Sequence, residues 1–438
     1  MSALSKLRRS SGQPQWPGTF VCELARDFVR VAAFLAVVFG YTGNTAAQTP
    51  GTEGSADAAP ADLLGAPGQG LTMRIDDAFS LNIRSRFLIR TQFQRPRTSD
   101  DAQRDPEPWT QQTSIATARL WFSGHVGTPR LTWLTQLAVA ERDFRDGATS
   151  PIYDAYIDYE AHPQLSLRAG QFFVPFDRLR TVREWALQLG ERPRPVQEFT
   201  LDRDVGIVAY SDHAGAPNSP LAWKIGMFSG GGIHRFDQRE PGALLVARVE
   251  LRPLGDIDDD VEGDLARRTR PALAIGAGYA RHINSDRVRG TTGTLTTATF
   301  DVHHFAADLV FKWNGLALQL AWLHKQADEV SQQSTTEDDT AETIFSRDGS
   351  GWVSQLSWLL PVPLEFVGRV SRIEAAAGTE DSWVTSAEDT GLEVGAGANW
   401  YFNGHKMKLQ SGWLARSATT GASEGVDHNV YLQFDITF

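Results

Sequence analysis

The last ten residues of the chain alternate strictly between apolar and polar side chains. The apolar parity holds Val430, Leu432, Phe434, Ile436 and Phe438, and the polar parity holds Asn429, Tyr431, Gln433, Asp435 and Thr437. Because successive side chains of a β-strand point to opposite faces, this pattern predicts a strand with one apolar and one polar face. We expect Phe438 itself to belong to this strand.

The same two-residue period recurs along the chain. Phe79, Leu81 and Ile83 share one parity, whereas Arg84 and Arg86 share the other. We count about sixteen such segments of roughly ten residues, the length with which a tilted strand crosses a bilayer. The pattern therefore predicts an all-β fold of many antiparallel strands.

The connections between these segments alternate between short and long. Short turns are predicted at 127–130, 161–164, 314–315, 361–363 and 403–404, and long polar loops at 95–114, 141–151, 173–203, 327–350 and 375–390. The longer stretch 253–270 is an exception, because a short turn is due there. Turns and loops sorted to opposite ends are typical of transmembrane barrels, and a soluble sandwich has no reason to sort them. We predict a transmembrane antiparallel β-barrel of about sixteen strands.

The N-terminal region predicts export. Arg26 and Arg30 precede an apolar run at 31–40, and small residues follow at 45–47. A basic flank, a short apolar run and small residues are typical of a secretory signal peptide, which we assign to residues 1–47. The alternative is a membrane anchor, but a spanning helix needs roughly 20 apolar residues and this run is shorter.

The composition predicts a linker before the barrel, and the net charge does not predict ion selectivity. Residues 48–70 are rich in Gly, Ala, Pro, Thr and Ser without periodicity, which predicts a flexible linker before a barrel at 71–438. The single cysteine, Cys22, lies in the predicted signal peptide, so no disulfide framework is expected. The net charge of −11 does not report ion selectivity, because selectivity depends on the local potential inside a pore.

Several blocks of the sequence resemble a known family. The blocks YDAYIDY at 153–159, LRAGQFFVPF at 167–176 and EFTLDRDVG at 198–206 are similar to the phosphate-selective porin O and P family. GMFSG at 226–230 and NWYF at 399–402 are similar to further blocks of that family. The alternating C-terminus also resembles the signal by which bacterial outer-membrane barrels are recognised for insertion.

The resemblance implies an outer-membrane barrel of about sixteen strands, usually a homotrimer, whose pore favours anions and in some members phosphate. It also implies that the third external loop, here 173–203, folds into the lumen and narrows it. One position departs from the family pattern: Phe173 stands where a lysine commonly follows Gly-Gln-Phe. If that lysine contributes to phosphate binding in the family, this chain lacks its contribution.

Basic side chains of the polar parity would line the interior of such a barrel. With two arginines of the third loop, the residues that we assign to solute or ion binding are Arg84, Arg86, Arg90, Arg119, Arg168, Arg178, Arg180, Lys224 and Lys312. Guanidinium groups offer planar, bidentate donors to oxyanions, and rings of Arg or Lys line anion pores. The alternative is structural, because acids such as Asp154 and Asp158 share the polar parity and would pair with these cations.

Together these patterns predict an outer-membrane porin that passes small solutes by passive diffusion and favours anions, with phosphate among the candidates. The alternatives are a structural or adhesive outer-membrane barrel with a plugged lumen, and a soluble periplasmic β-protein. No enzyme, cofactor or metal site is predicted, because catalytic motifs are absent from the sequence and the acidic stretch 256–264 is typical of a solvated turn. The expected partners are outer-membrane lipid and lipopolysaccharide, small anions, a homotrimer and the barrel-assembly machinery through Phe438, without nucleic acid.

Overall fold

The computed structural model describes residues 62–66, 68–75, 77–96, 107–144, 150–233, 235, 240–335, 341–418 and 425–438. The predicted signal peptide and most of the predicted linker lie outside these residues. Within the described part of the chain, none of the helices has the length and apolarity to cross a membrane.

Strands of one antiparallel sheet pair with their neighbours in chain order and close into a barrel of 16 strands. These strands are β3 (Phe79–Arg95), β4 (Thr110–Val126), β5 (Thr128–Ala138), β6 (Ile152–His162), β7 (Leu165–Phe173), β8 (Arg203–Ser211), β9 (Leu221–Phe228), β10 (Ala243–Leu251), β11 (Ala272–Arg287), β12 (Leu295–Trp313), β13 (Leu316–Ala327), β16 (Gly349–Leu359), β17 (Leu364–Ala375), β18 (Leu392–Asn403), β19 (Met407–Ser417) and β20 (Asp427–Thr437). The last strand pairs with the first, from His428 opposite Arg95 to Thr437 opposite Arg86. The predicted fold class and strand number are confirmed.

Two further strands precede the barrel. β1 (Asp62–Ala66) pairs with β2 (Gly70–Ile75), and β2 pairs with the first residues of β3, from Phe79 to Ile83. The segment predicted as a flexible linker therefore contains a strand. Composition could not reveal it, because a strand at a sheet edge is held by backbone hydrogen bonds that need no side-chain period.

The two faces of the barrel wall differ in chemistry as the alternation predicts. Ile89, Ile225 and Trp358 are among the large apolar side chains exposed on the outer face. The opposite parity is buried and largely polar, with Lys408 and Asp435 at 0 % exposure. An apolar outer band around a polar interior is the arrangement of a barrel that stands in lipid.

Short and long connections occupy opposite ends of the barrel. The connections at 127, 163–164, 314–315 and 404–406 are tight, whereas 252–271, at the same end, is long. The long connections at the other end carry local structure: α1 (Arg178–Thr181) and α2 (Arg194–Phe199), the hairpin β14 (Ser331–Thr335) and β15 (Ala341–Phe345), and α3 (Asp381–Thr390).

An apolar core lies against part of the inward face. Phe176, Leu179 and Phe199 of the third connection are buried against inward apolar residues of the wall, such as Leu244 and Leu323. The inward parity is therefore partly apolar where this connection covers it, next to polar wall side chains that bond to the same connection. That division fixes the third connection against the wall.

Candidate functional site

Residues 174–202, which we call the third loop, connect β7 and β8 and bond to inward side chains of distant strands. Arg248 of β10 donates to the carbonyl oxygen of Phe176 at 3.0 Å, and Lys408 of β19 donates to that of Leu187 at 2.9 Å. Gln188 donates through Nε2 to a carboxylate oxygen of Glu365 on β17 at 2.6 Å. The third loop is therefore held by strands far from its own ends.

The tip of the third loop meets the strands that close the barrel. The backbone N–H of Gly190 donates to the Tyr431 hydroxyl at 2.5 Å, and Arg90 donates to the Gly190 carbonyl oxygen at 2.7 Å. A Cβ atom at Gly190 would stand 2.8 Å from the Tyr431 ring. The close approach explains why this position carries a glycine.

The long connection 252–271 reaches the third loop from the opposite end. Arg178 of the third loop pairs with Asp259, and the N–H of Gln188 donates to Glu262 at 2.7 Å. Lys312 of β12 holds the same connection by donating to the carbonyl oxygen of Val261 at 2.7 Å. This contact gives a physical reason for the length of the stretch 253–270, which the sequence marked as an exception to the short turns.

A small cavity of about 30 Å³ lies between the third loop and the wall. Its lining holds six arginines and one carboxylate: Arg86, Arg119, Arg180, Arg183, Arg192, Arg203 and Glu184. The rest of the lining is Gln136 and four aromatic residues, Trp121, Tyr153, Phe173 and Trp185. A volume of this size holds about one or two water molecules. The cavity is therefore narrow, and its lining is predominantly cationic.

Most of these arginines bond to carboxylates that do not line the cavity themselves. Arg86 donates two hydrogen bonds to Asp435, at 2.7 and 2.6 Å. Arg183 and Arg203 share Asp154, each at 2.7 Å. Two further pairs follow the same plan, Arg119 with Asp143 and Arg180 with Asp202. The carboxylates fix the guanidinium groups in place and offset part of their charge.

Arg192 and Glu184, both on the third loop, are special cases in this cavity. Arg192 donates to the carbonyl oxygens of Leu179 and Val182 and has no carboxylate within 4.0 Å among the described residues. Burial, and then the charge of Arg180, lowers the pKa of Arg192. Burial alone would raise the pKa of Glu184, but guanidinium groups led by that of Arg142 lower it well below its ordinary value.

A larger cavity of about 1090 Å³ adjoins the small one. Arg84 and Lys224 line it, and the side chain of neither has a hydrogen bond or ion pair in the described part of the chain. Arg168 also lines it, stacked over Tyr156 at 4.4 Å and paired with Asp158. Acids of the connection 252–271 line the same cavity, namely Asp256, Asp258, Asp259 and Asp260. The large cavity therefore carries charges of both signs.

The residues assigned from sequence divide between these two cavities. Arg86, Arg119 and Arg180 line the small cavity, and Arg84, Arg168, Arg178 and Lys224 line the large one. Arg90 bonds the tip of the third loop and Lys312 the connection 252–271, and neither lines a cavity described above. The rings of Trp121 and Tyr153 were not singled out from sequence. Trp121 shares the inward parity of Arg119, which was the available signal. Tyr153 shares the parity of the exposed Ile157 and Tyr159, and it lies at a register shift between β5 and β6 that no sequence pattern indicates.

A closed antiparallel barrel of 16 strands with a polar interior is the architecture of outer-membrane porins. Solved structures with this fold include a loop-L8 deletion mutant of OmpT, an outer-membrane protein of Vibrio cholerae, with a TM-score of 0.51 and 10 % identity over 83 % of this chain and 100 % of that one.

The outer-membrane channel DcaP of Acinetobacter baumannii is similar with a TM-score of 0.50 and 11 % identity over 83 % of this chain and 98 % of that one. OmpF of Salmonella typhi in complex with daunomycin has a TM-score of 0.51 and 12 % identity over 83 % of this chain and 99 % of that one. At these identities the likeness shows the fold. No protein-family model and no curated protein matches the chain.

Proposed function

We propose that this protein is an outer-membrane porin, a channel for passive diffusion that favours small anions. The observation that carries the proposal is the small cavity, where six arginines face one glutamate. The fold and its apolar outer band support a position in the outer membrane, in contact with lipid and lipopolysaccharide. Trimer formation and insertion through Phe438 stay predictions from the sequence.

In this proposal the third loop crosses the lumen and forms its narrowest point. Its bonds to β10, β17 and β19 support that role, because a loop held by those strands spans the interior. Arginine side chains held at fixed positions attract anions and repel cations at close range. Arg84 and Lys224 would raise the local anion concentration in the large cavity below.

A phosphate-selective pore is a narrower form of the same proposal. The resemblance to the phosphate-selective porin O and P family supports it, whereas Phe173 in place of a lysine speaks against it. The arginines that line the small cavity would have to supply all the positive charge that meets the phosphate, since no lysine lines it.

The second candidate is a structural barrel without transport. The observation that favours it is the size of the small cavity, about 30 Å³. This volume holds about one or two water molecules, so a hydrated ion does not fit in it. Transport would then require the third loop to shift. The two candidates differ in a direct way, because a closed barrel inserts into a bilayer without carrying current.

The test is the reversal potential of the full chain in a planar bilayer under a KCl gradient. We expect the reversal potential to lie towards the equilibrium potential of chloride. We expect Arg183→Gln to lower the chloride-to-potassium permeability ratio several-fold. Arg183 suits the test because Asp154 keeps Arg203 as a partner when Arg183 is lost.

The matched control is Arg130→Gln, which removes an exposed arginine at a turn. We expect this variant to keep the wild-type ratio. A reversal potential towards the equilibrium potential of potassium would contradict the anion preference. Insertion without any current would favour the structural barrel.

A further inference from the structure

The small and the large cavity share one wall, and that wall is mainly aromatic. Four residues line both cavities: Trp121, Phe173, Arg183 and Trp185. Any solute that moves between the cavities must pass two indole rings, one phenyl ring and a single guanidinium group. A small inorganic anion would lose hydration water there against ring faces that replace few of its hydrogen bonds.

Phe173 is the centre of this wall. Its ring lies 3.6 Å from the guanidinium carbon of Arg203 and 5.3 Å from that of Arg183. Guanidinium groups stack on aromatic faces and keep their N–H donors in their own plane. Aromatic rings and guanidinium groups therefore alternate here. A flat ligand can stack on a ring and accept hydrogen bonds from the edge of a guanidinium group at the same time.

Arg183 has donors left for a ligand. Its described bonds to Gln136 and Asp154 both use Nη1, and its side chain keeps 28 % exposure. Nε and Nη2 have no partner among the described residues. A carboxylate that approaches this edge could accept two parallel hydrogen bonds, the favoured geometry of an arginine–carboxylate pair.

The acids of the large cavity narrow the range of anions. Asp256, Asp258 and Asp260 line it on the connection 252–271. Fixed negative charges repel a dianion about twice as strongly as a monoanion at the same distance. Phosphate is partly a dianion at neutral pH, because it loses its second proton near neutrality. The cavity therefore disfavours phosphate relative to a monocarboxylate.

We propose that the shared wall is a binding site for aromatic monocarboxylates, with the carboxylate on Arg183 and the ring against Phe173 and Trp185. The inference rests on the proposed function, because it names the substrate class of that channel. The large cavity, at about 1090 Å³, has ample room for the body of such a ligand.

The test compares three anions, benzoate, acetate and phosphate, by isothermal titration calorimetry on the folded chain in detergent. We expect benzoate to bind roughly tenfold more tightly than acetate, the gain of one good aromatic contact. Phe173→Leu should remove most of that preference, whereas Phe173→Tyr, which keeps the ring, should retain it. Block of single-channel current by benzoate should follow the same order.

The matched control is Phe366→Leu, which removes an exposed ring from the outer face of the barrel. It should leave the preference for benzoate unchanged. Equal affinity for benzoate and acetate, or tighter binding of phosphate, would overturn the inference.

The two proposals fail separately. An anion current without a benzoate preference would leave the channel and remove the aromatic site. A benzoate preference in detergent without current in bilayers would leave the site and remove the channel.

Discussion

At the scale of single residues, Arg84 and Arg86 show how far side-chain parity reaches. Both point inward from β3, as the alternation predicts, yet their surroundings differ. Arg86 is held by Asp435, 349 residues further along the chain, whereas Arg84 has no partner among the described residues. Parity gives the face of a strand, but the partner depends on which distant strand closes the barrel. The sequence alone could not separate a structural arginine from an available one.

This difference predicts that two similar substitutions affect different properties, one the stability of the barrel and the other its conductance. Arg86→Gln should lower the free energy of unfolding by about 3 kcal/mol, because it leaves Asp435 buried without its bidentate partner. Arg84→Gln should change stability by about 0.5 kcal/mol or less and should lower anion conductance instead. Urea unfolding in detergent and single-channel conductance measure the two effects.

The control for Arg86→Gln is the double variant Arg86→Gln, Asp435→Asn, which neutralises both partners. It should recover part of the lost stability, since no unpaired charge remains. Equal stability losses for Arg84→Gln and Arg86→Gln would contradict this assignment.

At the scale of elements, the third loop is the part that the sequence located but could not place in detail. The long polar stretch 173–203 was recognisable by its length and by the strands on either side. Its buried apolar residues, such as Phe176 and Leu179, lack a period of 2 or 3.6, because the backbone is mostly irregular. Without a period, a sequence carries no information on which side of a loop is buried. The helix α3 was likewise missed within the predicted loop 375–390.

The attachment of the loop tip predicts a change in channel behaviour. Tyr431→Phe removes the hydroxyl that accepts the N–H of Gly190 and leaves that donor unsatisfied. We expect a loss of about 1–2 kcal/mol in stability, together with a larger and noisier open-channel current, because the tip is less firmly held. Tyr159→Phe, on the exposed outer parity, is the control and should leave the current unchanged. A quiet current of wild-type size for Tyr431→Phe would show that this bond does not hold the loop tip.

At the scale of the whole molecule, closure depends on β20 and β3, which lie at opposite ends of the chain. Phe438 extends the seam by one residue: its N–H donates to the Ser85 carbonyl oxygen at 2.8 Å. Its ring is 52 % exposed and meets Phe87 edge to face. The strand number and this closure were predictable because a period of two residues recurs in most strands, although register shifts interrupt it in some. The filling of the interior was not, since it depends on contacts between distant parts of the chain.

A substitution of Phe438 can test a role in recognition by the assembly machinery apart from a role in stability, because its ring is half exposed. Phe438→Ala keeps the backbone bonds to Ser85 and loses only a half-exposed ring, so the refolded barrel should lose about 1 kcal/mol or less. If the C-terminus is read by the assembly machinery, the amount of folded barrel in cell membranes should fall much further. Phe87→Ala removes the other ring of the same contact and is the control. Equal amounts of the two variants in membranes would contradict a signal role for Phe438.

The strand β2 restricts the register at which the two ends of the barrel sheet meet. It occupies the edge of β3 from Phe79 to Ile83, immediately next to the stretch that β20 later takes. A strand that slides by one residue would turn its charged side chains towards lipid. Because β2 fills the edge of β3 up to Ile83, the C-terminal strand can pair with β3 only from Ser85 onward. The strand β2 therefore limits the register in which the barrel can close.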